Sequence, residues 1–366
     1  MVDAGLYVDV ASGGELAVAL AAGINPALNG FHGNNKSIAE IERAVAVGVG
    51  TIVVDSDWEI DRVADAARSA GRIQRVRLRV NSGVHANTHD FLATAHEDQK
   101  FGITIADAPD IVAEIRSHET LSFVGLHCHI GSQIYGTSGF AESASRLIEL
   151  HAALNAIAPI TELNLGGGFG IAYKPGDAPT DIETIADEIA SVVARECSAR
   201  NIPVPVVAFE PGRAVIGTST FTLYSVGTTK EVEIDVEGAS ATRLYVSVDG
   251  GMSDNARPAL YGADYHVRLA NRVSTEPSQL VRVAGKHCES GDIVVNADYL
   301  PADVEPGDLL AVAATGAYCW SLSSNYNYLA RPAVVAVSQS EARVIVRGET
   351  EADLLARDAG INGGNK

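Results

Sequence analysis

Short apolar runs and amphipathic stretches alternate without interruption from residue 6 to residue 209, and this alternation constrains the fold more than any other feature. β-branched runs predict strands at residues 6–10, 28–32, 51–55, 75–80, 121–130, 162–165 and 204–209. Three- and four-residue apolar spacing, as in Ile38, Ile41, Ala44 and Val45, predicts helices at 14–22, 37–47, 59–70, 107–117, 140–156 and 182–198. Strands joined by crossover helices run parallel, which leaves an open doubly wound sheet or a closed eightfold barrel. The series has seven strands, and a closed barrel needs one more. Either architecture places its active site at the carboxyl ends of the strands. Polar residues gather there: Asp9, His32, Asn34, Asp55, Arg79, His129, Ser132, Glu210 and Arg213, with Gly168 among them.

Near residue 220 the period changes. Strands are predicted at 221–226, 243–248, 265–269, 280–283, 293–295, 309–313, 333–337 and 343–347 with no long helices between them. That pattern describes a mostly antiparallel β domain. The expected organisation is a βα domain over residues 1–219 and a β domain over 220–366, with a frayed tail at 362–366.

Composition excludes several function classes. A formal charge of −19 disfavours nucleic acid, so an anionic ligand has to be held by a few placed arginines. No apolar run reaches the roughly 18–20 residues of a membrane span, and no basic segment with an apolar core opens the chain. Cys128, Cys197, Cys288 and Cys319 are scattered without CxxC spacing, which argues against structural zinc or a disulfide scaffold and for a reducing cytoplasm.

Two strand endings carry the strongest chemical signal, Leu165-Gly166-Gly167-Gly168-Phe169-Gly170 and Phe209-Glu210-Pro211-Gly212-Arg213. Backbone without Cβ can approach a ligand closely, and successive N–H groups cradle an anion such as phosphate. Tight turns that need glycine explain the same residues, but the added carboxylate and guanidinium tilt the reading toward a phosphorylated cofactor. His127-Cys128-His129 admits three readings: metal ligands, core histidines, or a ring packed on a flat ligand. No third ligand is evident beside it, so no metal is expected. Cys288, between His287 and Glu289 in a glycine-bounded loop, reads as a reactive thiol or as a small packing residue. Arg257, Tyr261 and Tyr318 lie in polar loops of the β domain.

These pieces occur together and in order in one family. The chain resembles the fold-type III pyridoxal-phosphate decarboxylases, through VDVASGGEL from Val8, HGNNKS from His32, IVVDS from Ile52 and HEDQKFG from His96. The match continues with GLHCHIGSQI from Gly125, LNLGGGFGIAY from Leu163, EPGRA from Glu210, VSVDGGMSDNARPALY from Val246, GKHCESGDI from Gly285 and GAYCWSLSSNYN from Gly316. It covers essentially the whole chain. HGNNKS, HEDQKFG and CESGD favour the branch that acts on meso-2,6-diaminopimelate, releasing carbon dioxide and L-lysine, over the ornithine and arginine relatives.

The resemblance implies a (β/α)8 barrel followed by an antiparallel β domain, with pyridoxal 5'-phosphate as cofactor. His129 would stack under the cofactor ring and Glu210 would pair with the ring nitrogen. Asp9 would lie on the cofactor rim. Ser132, Gly168 and the turn through Pro211, Gly212 and Arg213 would hold the phosphate. Tyr318 would close on cofactor and substrate, while Arg213, Arg257, Tyr261 and Glu289 would hold the substrate's far amino-acid group. Cys288 would deliver the proton that replaces the lost carboxylate. The family is a homodimer with shared sites, so Cys288 and Glu289 would serve the partner's barrel.

One departure stands against that list. The family anchors its cofactor through a Schiff-base lysine in a YAxKA-like stretch upstream of the segment matched from Val8, and this sequence starts short of that place. The first barrel strand would go with it, in line with the count of seven. None of the six lysines, Lys36 and Lys100 included, stands in for it. Two function classes follow: a decarboxylase, or a non-catalytic regulatory homologue. The Cys288 loop favours the first, since a regulatory remnant has no need of it.

Overall fold

The computed structural model describes residues 2–84, 100–236 and 238–361. By contact the chain divides into two compact units, Met1–Gly170 with Pro179–Pro211, and Ile171–Ala178 with Gly212–Lys366.

The first unit is built on parallel strands β1 (Val8–Val10), β2 (Asn29–Phe31), β3 (Thr51–Val54), β4 (Gln74–Asn81), β6 (Leu121–His127), β7 (Glu162–Gly167) and β8 (Val206–Glu210), hydrogen-bonded in that order. A two-residue β5 (Ile103–Thr104) pairs with β4 off the main path. Between them run α1 (Gly13–Ala21), α2 (Ile38–Val47), α3 (Trp58–Ser69), α4 (Ala108–Ser117), α5 (Ser138–Ile157) and α6 (Ile182–Ala199). The seven-strand series and its parallel sense match the sequence expectation for a (β/α)8-type barrel sheet. Among the described residues β1 and β8 are its two edges. Val206 of β8 is 69% exposed, whereas all four residues of β3 in the middle are buried.

Local sequence explains the helices. Ser37 and Glu40 form a reciprocal capping box at the start of α2, and Gly48 ends it at φ 87° in the left-handed region that favours glycine. In α3, Ile60, Val63, Ala64 and Ala67 are buried, the three- and four-residue stripe of a helix laid on a sheet. Residues 96–99 of the HEDQKFG match and the tail at 362–366 lie outside the described residues.

The second unit holds six strands in the order β11 (Val267–Leu269), β14 (Leu309–Val312), β9 (Thr222–Val236), β10 (Ala239–Val248), β12 (Ser278–Ala284) and β13 (Ile293–Pro301). Only the β10–β12 pair is parallel. A hairpin, β15 (Val334–Ser338) with β16 (Glu341–Val346), forms a separate two-stranded sheet. Three short helices complete the unit: α7 (Gly212–Ile216), α8 (Arg257–Tyr261) and α9 (Glu351–Leu355). Its core is β-branched and aromatic: Val246, Val267, Val281, Val283 and Tyr265 are fully buried.

Several boundaries differ from expectation: β10 starts at Ala239 where 243 was expected, and β13 runs to Pro301 where 295 was expected. The strand expected at 121–130 ends at His127, because the chain turns through Gly131 at φ 146°. The strand expected to stop at 226 continues to Val236 and pairs with β10 along its whole length. Glu231-Val232-Glu233-Ile234-Asp235 alternates polar with apolar residues, exposed with partly buried, so the extension carries the two-residue period of a strand that the sequence expectation missed.

Candidate active site

Residues on or just after four strands of the first unit converge on one carboxylate. Glu210 closes β8, His127 closes β6, Asn164 sits within β7 and His32 follows β2. Glu210 Oε1 lies 2.8 Å from His127 Nε2, and Asn164 Nδ2 donates to the same oxygen at 3.0 Å. His32 Nε2 lies 3.8 Å from it and 3.2 Å from Asp9 Oδ1 on β1. Among the described residues every partner of this carboxylate meets Oε1 and none meets Oε2.

Burial pushes the His127 imidazole down to about 4 against the pull of Glu210, so the ring is neutral at neutral pH. Burial works to raise Glu210, but His127, His32 and His129 outweigh it and hold the carboxyl below its ordinary range. Burial also lowers His129, whose Nδ1 accepts the Gly167 N–H at 3.2 Å while the residue as a whole is exposed. The neighbouring histidines of the HxH pattern therefore differ in role: one ring is buried against Glu210 and the other lies open.

The glycine rim is shaped by close approach. Gly168 sits at φ 107°, and a Cβ on it would lie 2.3 Å from Gly131 O. Its carbonyl accepts from Ile134 N at 2.9 Å, tying the rim to the turn that carries Ser132. The sequence reading left ligand cradle and tight turn open, and these contacts supply the steric reason for glycine in either case.

Lys36 has a different environment. It is buried, with Nζ donating to Gly33 O at 2.6 Å and Val53 O at 2.8 Å, and pairing with Glu59 at 3.0 Å. An ammonium has three protons, and all three are taken. Lys36 is thus a structural cation beneath the rim and not an anchor for a cofactor.

The remaining candidates belong to the second unit. Arg213 and Arg257 are both buried, and each guanidinium lies against tyrosines. Arg213 donates to the Tyr173 hydroxyl and stands 4.8 Å from the centre of the Tyr318 ring. Arg257 donates to Tyr265 at 2.5 Å and stands 4.8 Å from the Tyr173 ring. Tyr318 has φ 69°, a left-handed conformation that a bulky residue adopts only under constraint. Tyr261, on the same short helix as Arg257, is exposed. Cys288 is an exposed free thiol, and Glu289 Oε1 accepts from Tyr326 at 2.7 Å. Under that loop His287 is buried, its Nδ1 2.7 Å from Asp292 Oδ2 and its ring stacked on Tyr326.

The sequence reading did not name His127, Asn164, His287 or Asp292 as site residues. Asn164 had a signal: an amide in the middle of an otherwise apolar buried strand needs a partner. His32, His127 and Glu210 also bring ligand atoms within 4.8 Å of one another, a set that leaves out His129, the other half of the HxH pattern. The 2.8 Å contact of His127 with Glu210 already accounts for that approach.

Comparison with known proteins bears on both units. Residues 1–217 match the pyridoxal binding domain of the pyridoxal-dependent decarboxylases, and residues 187–316 match their C-terminal sheet domain. The chain is 51% identical over 360 residues to the diaminopimelate decarboxylase of Mycobacterium tuberculosis, covering 96% of this chain and 80% of that protein. Among solved structures it is similar to the diaminopimelate decarboxylase of M. jannaschii in complex with L-lysine, with a TM-score of 0.85 and 31% identity over 96% of this chain and 78% of that one. The Helicobacter pylori enzyme complexed with L-lysine gives a TM-score of 0.83 at 28% identity, covering 96% of this chain and 84% of that one.

Proposed function

The chain belongs to the pyridoxal-dependent decarboxylase family, and from that premise we propose that it decarboxylates meso-diaminopimelate to L-lysine and carbon dioxide. The observation that carries the chemistry is the Glu210 carboxylate, bound at one oxygen by His127 and Asn164 with the other oxygen unmet among the described residues. An ionised carboxylate in that state is an acceptor for a protonated ring nitrogen.

The residues fit pyridoxal 5'-phosphate. Bound, that cofactor supplies an electron sink for the pair left behind by departing carbon dioxide. Glu210 Oε2 accepts from the ring nitrogen and keeps it protonated. His129 offers its exposed imidazole face to the ring. Asp9 borders the same rim, its Oδ1 3.2 Å from His32 Nε2. Gly168 and Ser132 hold the phosphate, a role also given to the Pro211-Gly212-Arg213 turn. Arg257, Arg213, Tyr261 and Glu289 take the far amino-acid group of the substrate, since buried guanidiniums lying against tyrosines suit a carboxylate. Tyr318 closes over cofactor and substrate. Cys288 Sγ gives the proton that replaces the lost carboxylate. The working form is a homodimer in which the Cys288 loop serves the partner's barrel. Among the described residues no helix is long and apolar enough to cross a membrane.

Carbon dioxide release from meso-diaminopimelate, compared with release from ornithine, tests the substrate. The expected result is turnover of the first alone, and ornithine turnover at an equal or greater rate overturns the assignment. Mixing Cys288→Ala with His129→Ala protein tests the sharing of sites. Random re-pairing in a two-fold dimer leaves about a quarter of the sites intact, so activity should return toward that level. Activity no higher than the sum of the parents removes the shared site.

A further inference from the structure

Asn164 is a buried amide whose orientation is fixed. Its Oδ1 accepts the Gly166 N–H at 2.8 Å, so its Nδ2 has to face Glu210 and can only donate. The Gly166 N–H is itself held in place: the residue sits at φ 71°, where a Cβ would come within 2.3 Å of Cys128 O. His127 is equally constrained. Its ring is buried, and its Nδ1 has no hydrogen-bond partner. In a neutral imidazole one nitrogen carries the proton. With the proton on Nδ1, two lone pairs would face each other across 2.8 Å, so the proton is on Nε2 and is donated to Glu210.

We propose that His127 and Asn164 are positioning residues, which hold Glu210 ionised and rotated so that Oε2 alone is presented to the cofactor's ring nitrogen. The inference rests on the reading of Glu210 given above. Two neutral donors on Oε1 favour the charged carboxylate without cancelling its charge. A cation there would form an ion pair and weaken the hold on a protonated ring. His32 does not share this role, because its Nε2 is closer to Asp9 than to Glu210.

The test is the binding of pyridoxal phosphate and of its 1-deaza analogue, which carries C–H in place of the ring nitrogen, followed by cofactor absorbance. A hydrogen bond to a charged partner corresponds to roughly a tenfold to hundredfold preference. The protein should prefer pyridoxal phosphate by that factor, and Glu210→Gln should lose the preference. His127→Leu and Asn164→Val should each reduce it to within about threefold, and His127→Gln, which restores a donor, should recover part of it. A purely structural role would weaken both ligands equally and leave the ratio unchanged, and that result overturns the inference. Should His127→Leu fail to fold, Asn164→Asp, which replaces the donor with an acceptor of the same shape, decides the same question. If the unsubstituted protein shows no preference, or Glu210→Gln retains it, the reading of Glu210 itself falls, an outcome distinct from the other.

Discussion

Each unit contains a buried imidazole facing a carboxylate, and the two pairs look alike. His127 Nε2 lies 2.8 Å from Glu210 Oε1 in the first, and His287 Nδ1 lies 2.7 Å from Asp292 Oδ2 in the second. They differ in what the carboxylate does with its other oxygen. Asp292 Oδ1 accepts the Met252 N–H at 2.6 Å, and Oδ2 accepts the His287 N–H at 2.9 Å as well as the ring. Gly251 and Gly285 leave room for it, since a Cβ on either would lie within 2.5 Å of the carboxylate. Both oxygens of Asp292 close a loop, whereas Glu210 keeps one oxygen free of partners among the described residues. On the proposed reading of Glu210, leftover acceptor capacity, rather than the presence of a buried pair, separates a group that acts on a ligand from one that holds the chain.

The largest effect that could break this comparison is on the clamp. Asp292→Ala leaves two backbone N–H groups and a ring nitrogen without an acceptor in a buried site. At about 1–3 kcal/mol for each unsatisfied group, partly relieved by water, the loss of stability should be about 3–5 kcal/mol. Urea unfolding measures it. A loss below about 1 kcal/mol would mean that Asp292 is no clamp.

Glu210→Gln should show the opposite profile. Deleting one preorganised electrostatic contact costs on the order of 10²–10³ in turnover, while the amide keeps the shape and one acceptor for His127 and Asn164, so stability should fall by about 1–2 kcal/mol, less than in Asp292→Ala. Urea unfolding and a decarboxylation assay run on one preparation separate the two. An equal stability loss in Glu210→Gln and Asp292→Ala would mean that both carboxylates hold the chain.

The third effect depends on pH. The His127 ring titrates at about 4 in the folded protein, against an ordinary value near 6.5, because burial disfavours its charge. A depressed folded value means that the unfolded chain binds the proton more tightly. The contribution to stability is complete above pH ~6.5 and is lost as pH falls through about 4, in total roughly 3 kcal/mol. Glu210, also held low, adds in the same direction as acid protonates it. Unfolding free energies at successive pH values between 7 and 4 should fall less steeply in His127→Gln than in the unsubstituted protein. Parallel curves would show that the ring does not titrate with folding.

How far the sequence disclosed these pairs follows from distance along the chain. The capping box of Ser37 and Glu40 spans three residues and belongs to a pattern any reader can count. The glycine rim and the Glu210 turn were legible because each is contiguous. His127 and Glu210 are 83 residues apart, and only the register of β6, β7 and β8 brings them together. No spacing rule reaches that far, so the sequence shows His127 only as half of an HxH pattern, while its partner lies two strands away. His287 and Asp292, five residues apart, were close enough to read, but an exposed thiol between them drew the chemical reading to Cys288. The extension of β9 to Val236 was open to reading, since Glu231-Val232-Glu233-Ile234-Asp235-Val236 alternates with the period of a strand, and the expectation simply stopped short of it.

The smallest effect sharpens the comparison at the rim of the clamp. Tyr326 stacks on His287 with ring centres 5.5 Å apart and planes 4° from parallel, and its hydroxyl donates to Glu289 Oε1 at 2.7 Å. The two contacts serve different ends: the stack covers the buried pair, and the hydroxyl orients an exposed carboxylate that a substrate would meet. Tyr326→Phe removes only the hydroxyl, from an exposed bond, and should leave stability nearly unchanged. Tyr326→Ala removes the stack as well and should cost a further ~0.5–1.5 kcal/mol beyond the lost apolar area. If the clamp and the substrate contact are separable, Tyr326→Phe should raise KM for the substrate with kcat nearly unchanged, because Glu289 loses its orientation while Cys288 keeps its loop. A fall in kcat matching that of Cys288→Ala would instead tie the hydroxyl to the thiol's own chemistry, and the second unit's pair would then be part of the reaction rather than its scaffold.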